Sequence, residues 1–384
     1  MDYVTIEDMD VAGKKVLLRA DLNVPLDKDG KIANDRRIHA SLPTIQYLLD
    51  KGAEKIMLIT HLGKPKGQVV ENLRLDAVAE RLSELLGVDV RKLDDCVNIP
   101  LPEQKVVLFE NLRFHPGEEA NDMEFANALA NYADVFVNDA FGTCHRKHAS
   151  IVGIPQFIPA CAGLLVKKEI DTLEWILESP EHPFVGILGC AKISDKISVM
   201  QNLLRKVDKL LLGGAIVFTF YRAMGYGVGQ SMVEEDHIGT AKGILEEYRE
   251  KLVFPEDIVT SSSKDEAMDV TTVSAQDIPD DKVGLDVGPA TVKRFSEVLA
   301  ESKTVFWNGP LGRFEIEPFG SATKELGSFI AEKGITSVIG GGDTASAMES
   351  CGLADSFTHV STGGGATLNF IEGRPLPGIE ALRR

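Results

Sequence analysis

Apolar residues in this chain fall in short runs, and each run is followed by a longer stretch in which they recur every three or four positions. The runs KKVLLRA (14–20), KIMLIT (55–60), KVVLFE (105–110) and ADVFVN (133–138) predict buried strands rich in Val, Leu and Ile. Between them RIHASLPTIQYLLDKG and LRLDAVAERLSELLG carry a helical period, and each closes on Gly, as a C-terminal cap does. The pattern starts again at FVGILG (184–189) and continues through VDKLLLGG (207–214), DIVTSS (257–262), KTVFWN (303–308), ITSVIG (335–340) and FTHVST (357–362). Such alternation predicts an α/β protein of two Rossmann-like three-layer lobes with mainly parallel sheets. The lobes are expected at 1–155 and 179–369. A helix over 161–178, with Leu164, Leu165, Ile170, Leu173, Ile176 and Leu177 roughly on one face, joins them.

The length of 384 residues fits that division, since it exceeds what one core normally supports. Composition adds little: 44% hydrophobic and 26% charged is ordinary for a globular protein. The start MDYVTIEDMD has no cationic, apolar leader, and the longest apolar run falls short of the roughly 18–20 residues of a membrane span. A soluble protein is expected. Five scattered cysteines without a C-x-x-C pair suit a reducing, cytoplasmic setting rather than disulfides or zinc. The net charge of −17 argues against nucleic-acid and anionic-membrane partners.

Candidate chemistry collects where parallel sheets place ligands, just past the carboxyl ends of the strands. In the first lobe DLNVP, HLGKPKG, NLRFH and DAFGTCHRKH follow the four strands. They bring Asp21, Asn23, His61, Lys64, Arg113, His145 and Arg146 to one rim, with Arg36 and Arg37 opening the next helix. A rim of cations with a few hydrogen-bonding partners suits a small, multiply charged anion. In the second lobe the equivalent positions carry glycine: GCAKISDK, GGA, NGPLG, GGGDTA and GGGA. Glycine admits close backbone approach, and helix-start amides hold phosphate. Lys192 and Lys196, four apart, are expected to share the face of a helix start. Each signal taken singly has a plainer reading, since a glycine triplet alone is more often a turn. Arg19, inside a strand, reads as a structural salt bridge, and the cysteines as small core residues. The co-location of about nine such loops outweighs these readings. No G-x-x-x-x-G-K-[ST] occurs, and GYGVGQ (225–230) is not a Rossmann fingerprint.

In chain order, RADLNVP, RRIHASLPTI, HLGKPKG, ENLRF, VNDAFGTCHRKHAS, GCAKISDKI, GLDVGP, WNGPLGRFE, GGGDTA and HVSTGGGATLNFIEG resemble the successive motifs of the phosphoglycerate kinase family. The resemblance covers nearly the whole chain. It implies reversible phosphoryl transfer between ATP and the carboxylate of 3-phosphoglycerate, with Mg2+, in glycolysis and gluconeogenesis, by a cytoplasmic monomer. It assigns Asp21, Asn23, Arg37, His61, Lys64, Arg113 and Arg146 to phosphoglycerate. To the nucleotide it assigns Lys192, Lys196, Gly213, Gly214, Gly284, Asn308, Glu315, Gly341, Gly342, Asp343 and Thr344, with Asp343 serving the metal. Arg37, Lys192, Gly341 and Gly364 are the expected catalytic positions, where charge on the transferring group is neutralised. The family pattern also returns the last residues, about 370–384, to the first lobe and implies closure of the lobes before reaction. Two departures stand out. Lys64 replaces the usual Arg, a point charge for a fork, and Cys190 and Ala215 replace glycines near the expected adenine contacts. The alternatives are a nicotinamide-dependent dehydrogenase, disfavoured by the missing fingerprint, and a non-catalytic phosphometabolite sensor, disfavoured because Arg37, Lys196 and Asp343 are all retained.

Overall fold

Strand β1 (Lys15–Ala20) sorts its side chains to two faces, and each face has its own core. Val16, Leu18 and Ala20 pack with Ile38, Ile45 and Leu48 of helix Arg36–Asp50 and with Val78 and Leu82 of helix Asp76–Leu86. Leu17 joins Met57, Phe136 and the residues Ala126, Leu129 and Ala130 of helix Met123–Ala130. Helices therefore cover both sides, which is why the strand reads as a continuous apolar run rather than an alternation. The computed structural model describes residues 2–383, in two compact units: the described residues up to 171 with those from 375 onward, and residues 172–374.

The first unit is built on a six-stranded parallel sheet. Besides β1 it contains β2 (Lys55–Ile59), β3 (Val90–Lys92), β4 (Val106–Leu108), β5 (Val135–Asp139) and β6 (Ala160–Ala162), in the order β3-β4-β2-β1-β5-β6. The order runs outward from β1 in both directions, so the sheet has a topological switch point between β1 and β5. Helix Leu164–Glu178 then carries the chain into the second unit.

The second unit contains β7 (Phe184–Gly189), β8 (Lys209–Gly213), β9 (Gly227–Val228), β10 (Leu252–Val253), β11 (Asp257–Ser261), β12 (Thr271–Ser274), β13 (Asp277–Ile278), β14 (Val283–Val287), β15 (Thr304–Asn308), β16 (Thr336–Gly340) and β17 (His359–Val360). Its main sheet is again parallel and six-stranded, in the order β10-β8-β7-β15-β16-β17, with the switch point between β7 and β15. One expectation is corrected here. The run at 257–262 forms β11, but it leaves the parallel sheet and pairs antiparallel with β12 and β14 in a small sheet of its own. Its half-buried alternation and the exposed outer strand β12 explain the placement.

Candidate active site

At the carboxyl end of β1, Asp21 is buried and takes a short charge-assisted hydrogen bond from Arg37 Nη1 in the first turn of helix Arg36–Asp50. Asn23 Oδ1 accepts from Gly63 N at 2.9 Å, tying the loop after β1 to the loop after β2. The latter loop brings His61, nearly enclosed at 5% exposure, and Lys64, which is exposed. Past β4, Arg113 is buried in a tight turn. Its Nη1 donates to Gly63 O at 2.7 Å and its Nε lies 3.2 Å from Glu119. Past β5, half-buried Arg146 meets His145 Nε2 at 3.3 Å.

Electrostatics ties these loops together. Burial first, then Arg19, Arg113, Arg146 and Arg37, holds the His61 imidazolium form well below the usual histidine range. Burial and the guanidinium groups of Arg113, Arg146 and Arg19 likewise lower His148 to about 4. Both rings are neutral near pH 7, so the positive field comes from the guanidinium groups and the exposed Lys64 ammonium rather than from histidine. Asp21 Oδ1 and Arg113 Nη2 are buried without a hydrogen-bond partner among the described residues. An anion that also carries a hydroxyl complements both, accepting from the arginine and donating to the carboxylate.

Arg19 departs from expectation. It is fully buried, and in place of an ion pair its guanidinium meets Ser150 Oγ, Ala20 O and His61 Nδ1. The nearest balancing charge, Glu118, is reached through Ser150. Neither Ser150, the last residue of VNDAFGTCHRKHAS, nor Glu118 stood out in the sequence, because a serine and a glutamate there give no local sign of burial.

In the second unit a cleft of about 840 Å³ opens at the switch point between β7 and β15, within the range of small-ligand pockets. Gly189 ends β7 and Gly309 follows β15, with their backbones in direct apposition. A Cβ on Gly309, whose φ is +88°, would stand 1.5 Å from Gly189 O. The apolar part of its lining is Val217, Phe218, Met232, Val283, Gly284, Leu285 and Leu311. The polar part includes Cys190, Lys196, Asn308, Gly341, Gly342, Asp343, Thr344 and Gly364. Gly214 and Ala215 also line the cleft, as does exposed Glu315 at its rim.

A hydrogen-bond lattice organises the polar part. Lys196 Nζ donates to Asn308 Oδ1 at 2.8 Å, and Asn308 Nδ2 donates to Gly340 O at 2.7 Å. Thr344 Oγ1 donates to Gly340 O at 3.0 Å and accepts from Gly309 N at 2.6 Å. Gly341 has φ +94°, and a Cβ there would stand 2.5 Å from Asn308 Nδ2, so only glycine opens helix Gly342–Ser350 in this way. Burial lowers the Lys196 ammonium below the usual lysine range, a desolvated cation whose direct partner is an amide oxygen. Asp343 is exposed in the first turn of the helix.

Several details differ from the sequence expectation. The two lysines do not share a helical face: the helix begins at Ile197, so Lys196 caps it while Lys192 sits exposed in the preceding turn. Lys192 and Gly213 are not among the residues lining the cleft, and Gly213 faces Leu311, where a Cβ would stand 2.4 Å from its Cδ2. Asp286 was not foreseen. It lines the cleft, accepts from Val287 N and Ala322 N, and burial pushes its carboxyl up to about 8.

Two parallel α/β units, one with an arginine-rich anion site and one with a nucleotide-sized cleft ending in helix-start amides, define a phosphotransferase class. The family model described as phosphoglycerate kinase matches residues 6–374. Curated phosphoglycerate kinases from Dictyoglomus turgidum and Rubrobacter xylanophilus are 49% and 48% identical, over 98% and 100% of this chain and 98% of each relative. Among solved structures, phosphoglycerate kinase from Coxiella burnetii superposes with a TM-score of 0.88 at 38% identity, over 99% of this chain and 98% of that one. The enzyme from Pyrococcus horikoshii OT3 gives 0.86 at 34%, with the same coverage. The chain belongs to the phosphoglycerate kinase family.

Proposed function

We infer that the chain transfers a phosphoryl group reversibly between ATP and the carboxylate of 3-phosphoglycerate, the reaction of its family in glycolysis and gluconeogenesis. The observation that carries this reading is the desolvated Lys196 held by Asn308 beside the Gly341 turn, in a cleft whose lining is apolar in part. That arrangement suits a nucleotide base against the apolar part and its phosphates at the amides. Dehydrogenase chemistry is not favoured, and a sensor has no need of the retained Arg37, Lys196 and Asp343.

In the forward step a carboxylate oxygen of 3-phosphoglycerate forms the new bond to the γ-phosphorus as the bond to the ADP oxygen breaks. The nucleophile is already ionised, so no side chain removes a proton. Positioning and charge neutralisation are what the protein supplies. Asp21, Asn23, His61, Lys64, Arg113 and Arg146 hold the phosphoglycerate, and Arg37, aligned by Asp21, neutralises the group in transit with Lys192 and the amides of Gly341 and Gly364. Lys196, Asn308, Gly342 and Thr344 take the nucleotide phosphates. Gly214 and Gly284 take the adenine side, with Gly213 behind them against Leu311, and Glu315 takes the ribose.

Exposed Asp343, lining the cleft, offers the carboxylate oxygen that a hard cation requires, and the nearby Cys190 thiol, pushed up to about 12 by burial, does not compete. These residues fit Mg2+, with Asp343 as its protein ligand; when bound, the ion neutralises phosphate charge. No helix among the described residues is long and apolar enough to cross a membrane, and a cytoplasmic monomer acting on small metabolites is the setting we propose. A coupled assay for ADP formation requiring both ATP and 3-phosphoglycerate, with and without Mg2+, tests the reading. Nucleotide turnover indifferent to 3-phosphoglycerate would overturn it.

A further inference from the structure

Arg19 is one of the largest fully buried side chains of the protein, yet it sits in a strand whose neighbours are apolar. Each of its three guanidinium nitrogens has a partner. Nε donates to Ser150 Oγ at 2.9 Å, Nη1 to Ala20 O at 2.6 Å, and Nη2 lies 3.0 Å from His61 Nδ1. Ser150 passes the interaction on, its hydroxyl donating to Glu118 Oε1 at 2.6 Å and its amide to Oε2 at 2.9 Å. Glu118 is itself fully buried, so an enclosed chain runs from a carboxylate through a hydroxyl and a guanidinium to an imidazole.

The direction of the last bond follows from chemistry alone. A guanidinium has donors and no acceptor, so His61 Nδ1 must accept and carries no proton. The neutral ring then bears its proton on Nε2. That nitrogen has no hydrogen-bond partner among the described residues and is not among the enclosed unpartnered atoms, so it is open to a ligand. A second proton at Nδ1 would face the Arg19 N–H group directly.

We propose that Arg19 is a positioning residue that locks His61 in the Nε2–H tautomer, so that the ring meets the substrate phosphate as a fixed neutral donor rather than as a cation. This rests on reading the first unit as the phosphoglycerate site. The charged groups acting on His61 are Arg19, Arg113, Arg146 and Arg37, all cations, and with burial they oppose its protonation. Recognition of the phosphate by His61 is therefore insensitive to pH through the range in which a free histidine titrates.

The test starts with the wild-type protein, labelled with 15N-histidine and assigned against His61→Gln. Long-range proton–nitrogen spectra should show Nδ1 unprotonated and Nε2 protonated from about pH 5 to about pH 8. A proton on Nδ1, or a doubly protonated ring at neutral pH, overturns the proposal without any variant. Arg19→Met should release the tautomer, so that the single ring proton is shared between Nδ1 and Nε2. It should also raise the KM for 3-phosphoglycerate about tenfold, the factor carried by one charge-assisted hydrogen bond, while leaving the KM for ATP unchanged. Arg19→Lys, also a pure donor, should restore the tautomer and most of the KM. An unaltered tautomer in Arg19→Met sinks the positioning role. An unaltered phosphoglycerate KM in His61→Gln instead overturns the phosphate contact, while the free-protein spectrum still decides the tautomer.

Discussion

Lys196 Nζ donates to Asn308 Oδ1 at 2.8 Å across the end of the second sheet, a partly buried ammonium meeting an amide where a carboxylate would neutralise it. The free protein therefore carries an uncompensated desolvation cost, and an anion in the cleft relieves it. Lys196→Met should leave the melting temperature of the free protein equal or higher, despite the lost hydrogen bond. It should also weaken ATP binding about tenfold or more. Thermal melts with and without nucleotide check this. A ligand-induced shift equal to that of the wild type is the contrary result.

Arg37 is held by the buried Asp21 carboxylate rather than by solvent. Arg37→Ala should lower kcat by about a hundredfold or more, the scale of losing one transition-state donor, with the Kd for ATP changed by less than about threefold. Steady-state kinetics beside nucleotide titration separates the two quantities, and equal losses in both would defeat the assignment.

Lys64 is exposed and makes no ion pair with the described residues. A guanidinium there adds a second, parallel hydrogen bond to a phosphate. Lys64→Arg should lower the KM for 3-phosphoglycerate by about two- to tenfold, with kcat nearly constant. A KM that stays level or rises would show that Lys64 does not bear on the phosphate.

Burial pushes the Asp286 carboxyl up to about 8, whereas an unfolded aspartate ionises near its ordinary value of about 3.9. Between those values the folded state holds the extra proton. This stabilisation is complete below about pH 4, declines as pH rises, and is gone above the folded value. Stability of the second unit should fall from about pH 5 to about pH 8 with a contribution of up to 1.4 kcal/mol per pH unit, and Asp286→Asn should flatten that slope. Urea unfolding followed by tryptophan fluorescence reads this unit, since Trp175 and Trp307 both belong to it. An equal slope in the variant would refute the assignment.

Much of the architecture was legible because strands enclosed on both faces are predominantly apolar, as β1, β2, β5, β7, β15 and β16 are. The run that became β11 was legible as a strand and misplaced among sheets, since pairing partners leave little trace in a local pattern. The helix after β7 was placed too early. Spacing by four puts Lys192 and Lys196 on one face only if both are helical, and the chain spends those residues on a turn.

Local sequence alone determined which residues stand at strand ends, because strand, loop and helix start follow one another along the chain. It therefore named the Asp21, His61, Arg113 and Arg146 loops and the glycine turns that the structure brings to the two switch points. What only the tertiary structure decided is how those residues are charged and held. Arg19 reaches Ser150, 131 positions away, and His61, 42 away, and from these contacts come its lack of an ion pair and the proton position on the imidazole. Lys196 finds Asn308 112 residues on, and burial around both sets the charge that the cleft offers a phosphate. Desolvation and hydrogen-bond direction are properties of an enclosed neighbourhood, and neighbourhoods are assembled from segments distant in the chain.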